Sequence, residues 1–105
     1  MAVLIDPAVL ARPNLSDVVV VVHEIDVETH PSCPPGWRWC VQLGGAPYDD
    51  ARRWLNAGWE PSERLARLAG EQVATAIDRA FALLGVRPPA PLTVVRLDAD
   101  PCPPE

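Results

Sequence analysis

Between Glu60 and Val86, in the stretch EPSERLARLAGEQVATAIDRAFALLGV, apolar residues recur at the three- and four-residue spacing of a helix. At about 100° per residue, Leu65, Ala69, Val73, Ala76, Ile77, Ala80, Leu83 and Leu84 fall on one arc, and Arg64, Arg67, Glu71, Thr75, Asp78 and Arg79 fall opposite. The pattern predicts one long helix with a core-facing side. Pro61 suits its first turn, and Ser62 or Glu60 can cap the free amides there. Gly85 followed by Val86, with Pro88 and Pro89 beyond, predicts a left-handed cap and a firm stop. Ala69, Gly70 and Ala76 keep the middle of the helix slim enough to approach a sheet closely. Gly70 costs about 1 kcal/mol relative to Ala in a helix interior, which implies a packing reason for it.

The remaining patterns are those of strands. Val18 to Glu28, VVVVVHEIDVE, is apolar on both faces at first and then alternates, which predicts a strand that starts buried and ends half exposed. The proline-rich loop after it leads to Trp37 to Leu43, where Trp37, Trp39, Val41 and Leu43 face one way and Arg38, Cys40 and Gln42 the other. These two make a hairpin. Asp50 to Trp59 fits either a capped helical turn or a third strand with Leu55, Ala57 and Trp59 on one face. The strand is preferred, because two strands would cover little of the helix. Leu92 to Leu97 supplies a fourth, and residues 1 to 16 read as one short helical turn. The order β-β-β-α-β predicts an α+β fold, with a three- to four-stranded antiparallel sheet packed on one long helix. A single domain spans residues 1–97, and the acidic, proline-rich residues 98–105 read as a disordered tail.

Composition narrows the chemistry. All nine basic residues are Arg, so Schiff-base lysines and a Walker-type phosphate lysine are excluded. The net charge of −5 is partly a tail effect: without Asp98, Asp100 and Glu105, eleven acids face nine Arg. Such a domain lacks the electrostatic footprint of a non-specific nucleic-acid binder. No apolar run reaches the length of a membrane span, and MAVLI lacks the basic flank of a secretory signal, so the expected compartment is the cytoplasm. The three cysteines, an odd number, are expected as free thiols there.

The element order resembles the HicB-like fold and, with the N-terminal turn, the double-stranded-RNA-binding domain. Ser62-Glu63-Arg64-Leu65-Ala66-Arg67 resembles the serine, basic, basic, any, alanine, basic pattern that opens the last helix of the latter. That resemblance implies Arg64 and Arg67 as phosphate contacts, with Glu63 standing where the pattern has a basic residue. The wording GWRW, LGG, NAGW and GEQVATA, in a chain rich in Ala, Val, Pro and Arg, is similar to small proteins encoded by actinobacterial phages. This implies a phage origin and brings no activity or site with it; the expected partner is a host or viral protein.

Candidate sites are few. His30-x-x-Cys33 has a spacing zinc tolerates, but His23 and Cys40 sit on strands and no second close pair completes a tetrahedron, so no metal or cofactor is expected. Cys40 and His23 could meet across the hairpin, yet no orienting group or oxyanion device accompanies them, and no catalytic residue is assigned. The acidic Glu24, Asp26 and Glu28 read as a solvated face. Four tryptophans are more than so small a core easily buries, and one helix can cover only one face of the sheet. Val18, Val20, Val22, Trp37, Trp39, Trp54 and Trp59 are therefore the expected protein-binding surface, with a homodimer as one way of covering it. The expected function is non-enzymatic protein binding, with nucleic-acid binding through Arg64 and Arg67 as the alternative.

Overall fold

The computed structural model describes residues 18–45, 47–86 and 91–105. The helical turn expected in residues 1 to 16 lies outside them. The elements are β1 (Val18–Glu24), β2 (Trp37–Leu43), a 3-10 turn (Ala51–Arg53), β3 (Trp54–Glu60), α1 (Glu63–Leu83) and β4 (Thr93–Arg96). The fold is α+β in the expected β-β-β-α-β order. The disputed stretch after Asp50 resolves into both of its readings, a turn capped by the Asp50 carboxylate and then a strand.

The sheet order is β3-β2-β1-β4. β1 pairs antiparallel with β2 from Val18↔Leu43 to Glu24↔Trp37, and β2 pairs antiparallel with β3, with a bulge between Val41 and Gln42. β4 lies parallel to β1, Val20 opposite Val94, so the sheet is mixed where an antiparallel one was expected. Connectivity requires this. α1 carries the chain back to the end at which β3 began, so β4 must run in the direction of β3, which is also that of β1.

Both ends of α1 are closed by their own side chains and backbone. Ser62, not Glu60, is the N-cap and accepts from Leu65 N–H at 3.2 Å. At the other end Val86 N–H reaches Phe81 C=O at 2.9 Å and Gly85 N–H reaches Ala82 C=O at 3.2 Å, with Gly85 at φ 71°. That is the paired-bond motif in which a left-handed glycine satisfies the last carbonyls.

The helix turns a different face to the sheet from the one its leucines suggest. Ala66, Gly70, Ala74, Ile77 and Phe81 are buried, whereas Leu65, Leu68, Leu83 and Leu84 are exposed. The contact face is thus rotated roughly a quarter turn from the hydrophobic arc. Small residues decide it: a methyl added at Gly70 would overlap Cγ1 of Val20, so the helix axis sits as close to β1 as a backbone can. Val18, Val20, Val22, Val41, Leu43, Ile77 and Phe81 form this core, with Trp37, Trp39 and Val94 packed at its margin. A second, smaller cluster lies on the other face, where Tyr48, Trp54, Val95 and Leu97 pack on Val19, Val21 and Cys40.

Candidate functional site

The second face of the sheet is where the chain's polar chemistry gathers. β1 ends by placing His23 on this face opposite Arg38 of β2. No described helix covers the region, and among the described residues it is closed by the C-terminal ones, which were expected to be disordered. Asp26 N–H donates to Asp100 Oδ2 at 3.0 Å, Cys102 N–H donates to Asp100 Oδ1 at 2.9 Å, and Glu105 N–H donates to Thr29 C=O at 3.0 Å. His30 Nε2 donates to Pro103 C=O at 2.8 Å, and the Ser32 hydroxyl meets the Glu105 carboxylate. The prolines between these contacts lower the entropy lost on ordering, which is why a composition typical of disorder packs here.

Around Asp100 the two histidines converge. Its carboxylate, 2 % exposed, lies 3.7 Å from His23 Nδ1 and 3.2 Å from His30 Nδ1. Burial alone would raise the Asp100 carboxyl, but the N–H groups of Asp26 and Cys102 and the two imidazoles outweigh it and hold it below its ordinary value. Burial pulls the His23 imidazole below its ordinary value, with the Glu24 carbonyl and Asp100 opposing. His23 is fully buried; its Nδ1 stands 3.1 Å from Glu24 C=O, and its Nε2 has no hydrogen-bond partner among the described residues.

The thiols line the same region. Cys102 Sγ receives Arg38 Nη1 at 2.8 Å, and Cys33 Sγ stands 4.0 Å from Nη2 of the same guanidinium. Burial pushes the Cys102 thiol up against the opposing pull of Arg38, and burial pushes Cys40 up much further. Neither is an activated nucleophile. Cys40 stands opposite Val21 and His23 opposite Arg38, so the two residues weighed from the sequence share a sheet face without pairing, and burial holds the Cys40 thiol protonated. All three cysteines are free. Among the described residues, one ring nitrogen of His23, an Asp100 oxygen and Cys102 Sγ lie within 4.8 Å of one another.

Beside this cluster a cleft of about 570 Å³ opens, lined by Trp54, Ala57 and Trp59 of β3 together with Ile25, Arg38 and Cys102. β3 is an edge strand, and its Leu55, Asn56, Ala57 and Trp59 are exposed. Among the described residues no element pairs with its outer edge.

The expected partner surface is thus largely corrected. Val18, Val20 and Val22 are at most 4 % exposed because they lie under α1, and Trp37 and Trp39 pack against the same core. The valines expected to meet another chain are on the face that the helix covers. Arg96 also stacks on the Trp37 ring, 5.2 Å from its centroid. Trp54 is half-buried over the second cluster, and Trp59 is 43 % exposed. Arg64 and Arg67 stand on the open side of α1, but Arg67 is paired with Glu63 at 3.1 Å, and Glu63 also faces Arg96 at 3.7 Å. Glu24, Asp26 and Glu28 do not share a strand face, because β1 ends at Glu24 and the Asp26 carboxylate turns back to accept from Glu28 N–H.

Sequence reasoning missed Asp100 and Cys102, whose only signal was a polar residue on either side of Pro101. No described helix is long and apolar enough to cross a membrane. No protein-family model, curated protein or solved structure matches this chain.

Proposed function

We propose that the protein is a non-enzymatic interaction module that takes an extended segment of a partner protein onto the open edge of β3. The observation that carries this reading is the coincidence of an edge strand, unpaired among the described residues, with a cleft lined by the same strand. In recognition of this kind the backbone of the edge supplies hydrogen bonds and adjacent pockets receive alternate side chains of the guest. Trp54, Ala57 and Trp59 line such a pocket, and a 43 % exposed Trp59 at its rim has the character of an interface anchor. The raised thiols of Cys40 and Cys102 speak against a cysteine nucleophile. The phage-like wording of the sequence favours a host or viral protein in the cytoplasm as the partner. A second copy of the chain, pairing β3 with β3 about a two-fold axis, is the form of self-association this edge allows.

Selection of a random peptide display library on the full chain tests the proposal. Peptides with alternating apolar residues should be enriched, and Trp59→Ala should weaken them about 30-fold, the size of an aromatic hot spot. Leu55→Lys, which places a charge on the edge, should weaken them as well. Absence of enrichment, or binding indifferent to both changes, would overturn the proposal. Nucleic-acid binding is the weaker reading, because Glu63 already neutralises Arg67 at the helix end meant to meet phosphate.

A further inference from the structure

We propose that His23, Asp100 and Cys102 form a binding site for a divalent transition-metal ion of the zinc type, which fastens the C-terminal residues onto the second face of the sheet. The site does not rest on the proposed use of the β3 edge, although Cys102 lines the same cleft.

Three observations carry it. First, the donors already converge: one ring nitrogen of His23, an Asp100 oxygen and Cys102 Sγ lie within 4.8 Å of one another. A tetrahedral zinc site separates its ligand atoms by about 3.3–3.8 Å, so closing the set needs side-chain movements of about 1 Å. Second, His23 is a fully buried imidazole whose Nδ1 stands 3.7 Å from Asp100 Oδ1 and 3.1 Å from Glu24 C=O, so this ring nitrogen faces two oxygens. With the ring proton on Nε2, the Nδ1 lone pair coordinates an ion seated between it and the Asp100 carboxylate. Third, the surrounding polar groups have the placement of an outer shell. His30 Nδ1 stands 3.2 Å from Asp100 Oδ2, the N–H groups of Asp26 and Cys102 fix the same carboxylate, and Arg38 Nη1 points at the sulfur from 2.8 Å.

The charges of ion and ligands balance. A divalent ion, one carboxylate, one thiolate and one neutral imidazole sum to zero, and the Arg38 guanidinium beside the sulfur adds one positive charge that the cleft leaves open to solvent. On binding, the Cys102 S–H bond breaks, sulfur keeps the electron pair and coordinates the ion, and the proton passes to solvent. One nitrogen, one oxygen and one sulfur donor form a borderline set that favours zinc or cobalt over calcium or magnesium. Cys102 opens onto the cleft, from which water supplies the fourth ligand.

Titration of the chelator-treated full chain with cobalt(II) tests the site. The expected result is one ion per chain, with a thiolate-to-cobalt charge-transfer band, tetrahedral d–d bands, and displacement by zinc but not by magnesium. Cys102→Ser should abolish the charge-transfer band, and Asp100→Asn should weaken binding about 100-fold or more. His30→Gln, which alters both the neighbour of Asp100 and the bond to Pro103 C=O, should cost about 10- to 100-fold. Cys33→Ser should leave the spectrum unchanged. Far-ultraviolet circular dichroism of each variant separates loss of ligand from loss of fold, and Asp100→Asn, which retains every thiol, serves if Cys102→Ser unfolds. No charge-transfer band in the wild-type chain, or a band that survives Cys102→Ser, would overturn the proposal.

Discussion

Replacing Gly70 with Ala tests how closely α1 lies on the sheet. In a helix interior free of neighbours the change stabilises by about 1 kcal/mol through propensity. Here the new methyl would overlap Val20 Cγ1, with Val20 Cβ at 3.6 Å and Trp39 Cβ at 3.7 Å beyond it. Val20 is β-branched and 0 % exposed, so it has no free rotamer into which to retreat. Overpacking of this sort costs about 1–3 kcal/mol, which leaves a net change between neutral and a loss of about 2 kcal/mol. Each kcal/mol corresponds to about 4–8 °C in Tm for a domain of this size. Urea unfolding followed by circular dichroism measures it. Val20→Ala alone should cost about 1.5–3 kcal/mol, but in the double variant the methyl introduced by Gly70→Ala occupies space that Val20 Cγ1 vacates. The two losses should then fall short of additivity by about 1 kcal/mol. If Gly70→Ala stabilises by its full propensity value and shows no coupling to Val20→Ala, the helix stands off the sheet and the packing argument fails.

Three further outcomes are expected. Gly85→Ala should destabilise by about 1 kcal/mol purely through its φ of 71°, since a Cβ there meets nothing within 4 Å; an unchanged urea midpoint would contradict the cap. In chelator-treated protein, stability should fall as pH drops below about 6.5, because burial lowers the folded pKa of His23 and the unfolded chain takes the proton first. Asp100, also depressed on folding, extends the loss below about pH 4, and His23→Gln should remove the upper part of the slope as read from urea midpoints. Filter binding at physiological salt should show no retention of duplex RNA; salt-sensitive micromolar binding, with a slope flattened by Arg64→Ala and Arg67→Ala together, would put the nucleic-acid reading first.

Local signals were the legible ones. Trp37 to Leu43 alternates and is bounded by Gly36 and Gly44, and β2 has those limits. Gly85 and Val86 announced a cap that forms with both of its hydrogen bonds. The facing of α1 was harder to read, because hydrophobicity draws attention to Leu65, Leu83 and Leu84 while closeness of approach is set by Ala66, Gly70 and Ala74. That misreading carried over to the sheet, since Val18, Val20 and Val22 look like a surplus apolar face until the helix is seen to cover them. The polar cluster was illegible for a different reason. His23 lies at the end of the first described strand and Asp100 and Cys102 near the end of the chain, so no spacing rule links them, and the residues that hold the tail, Asp26, Thr29 and His30, occupy a loop whose conformation no periodicity describes.

The C-terminal residues close the second face of the sheet over His23, and the polar cluster exists only through that closure. Isotope-edited NMR of the full chain, with nuclear Overhauser effects measured from the His23 and His30 ring protons, tests this most directly. Cross-peaks from these rings to the side chains of Asp100, Cys102 and Pro103, with slowed exchange of the Glu105 amide bonded to Thr29, are the predicted result. Sharp, random-coil resonances for residues 98–105 without such cross-peaks would contradict it, and with it the assembly of the cluster.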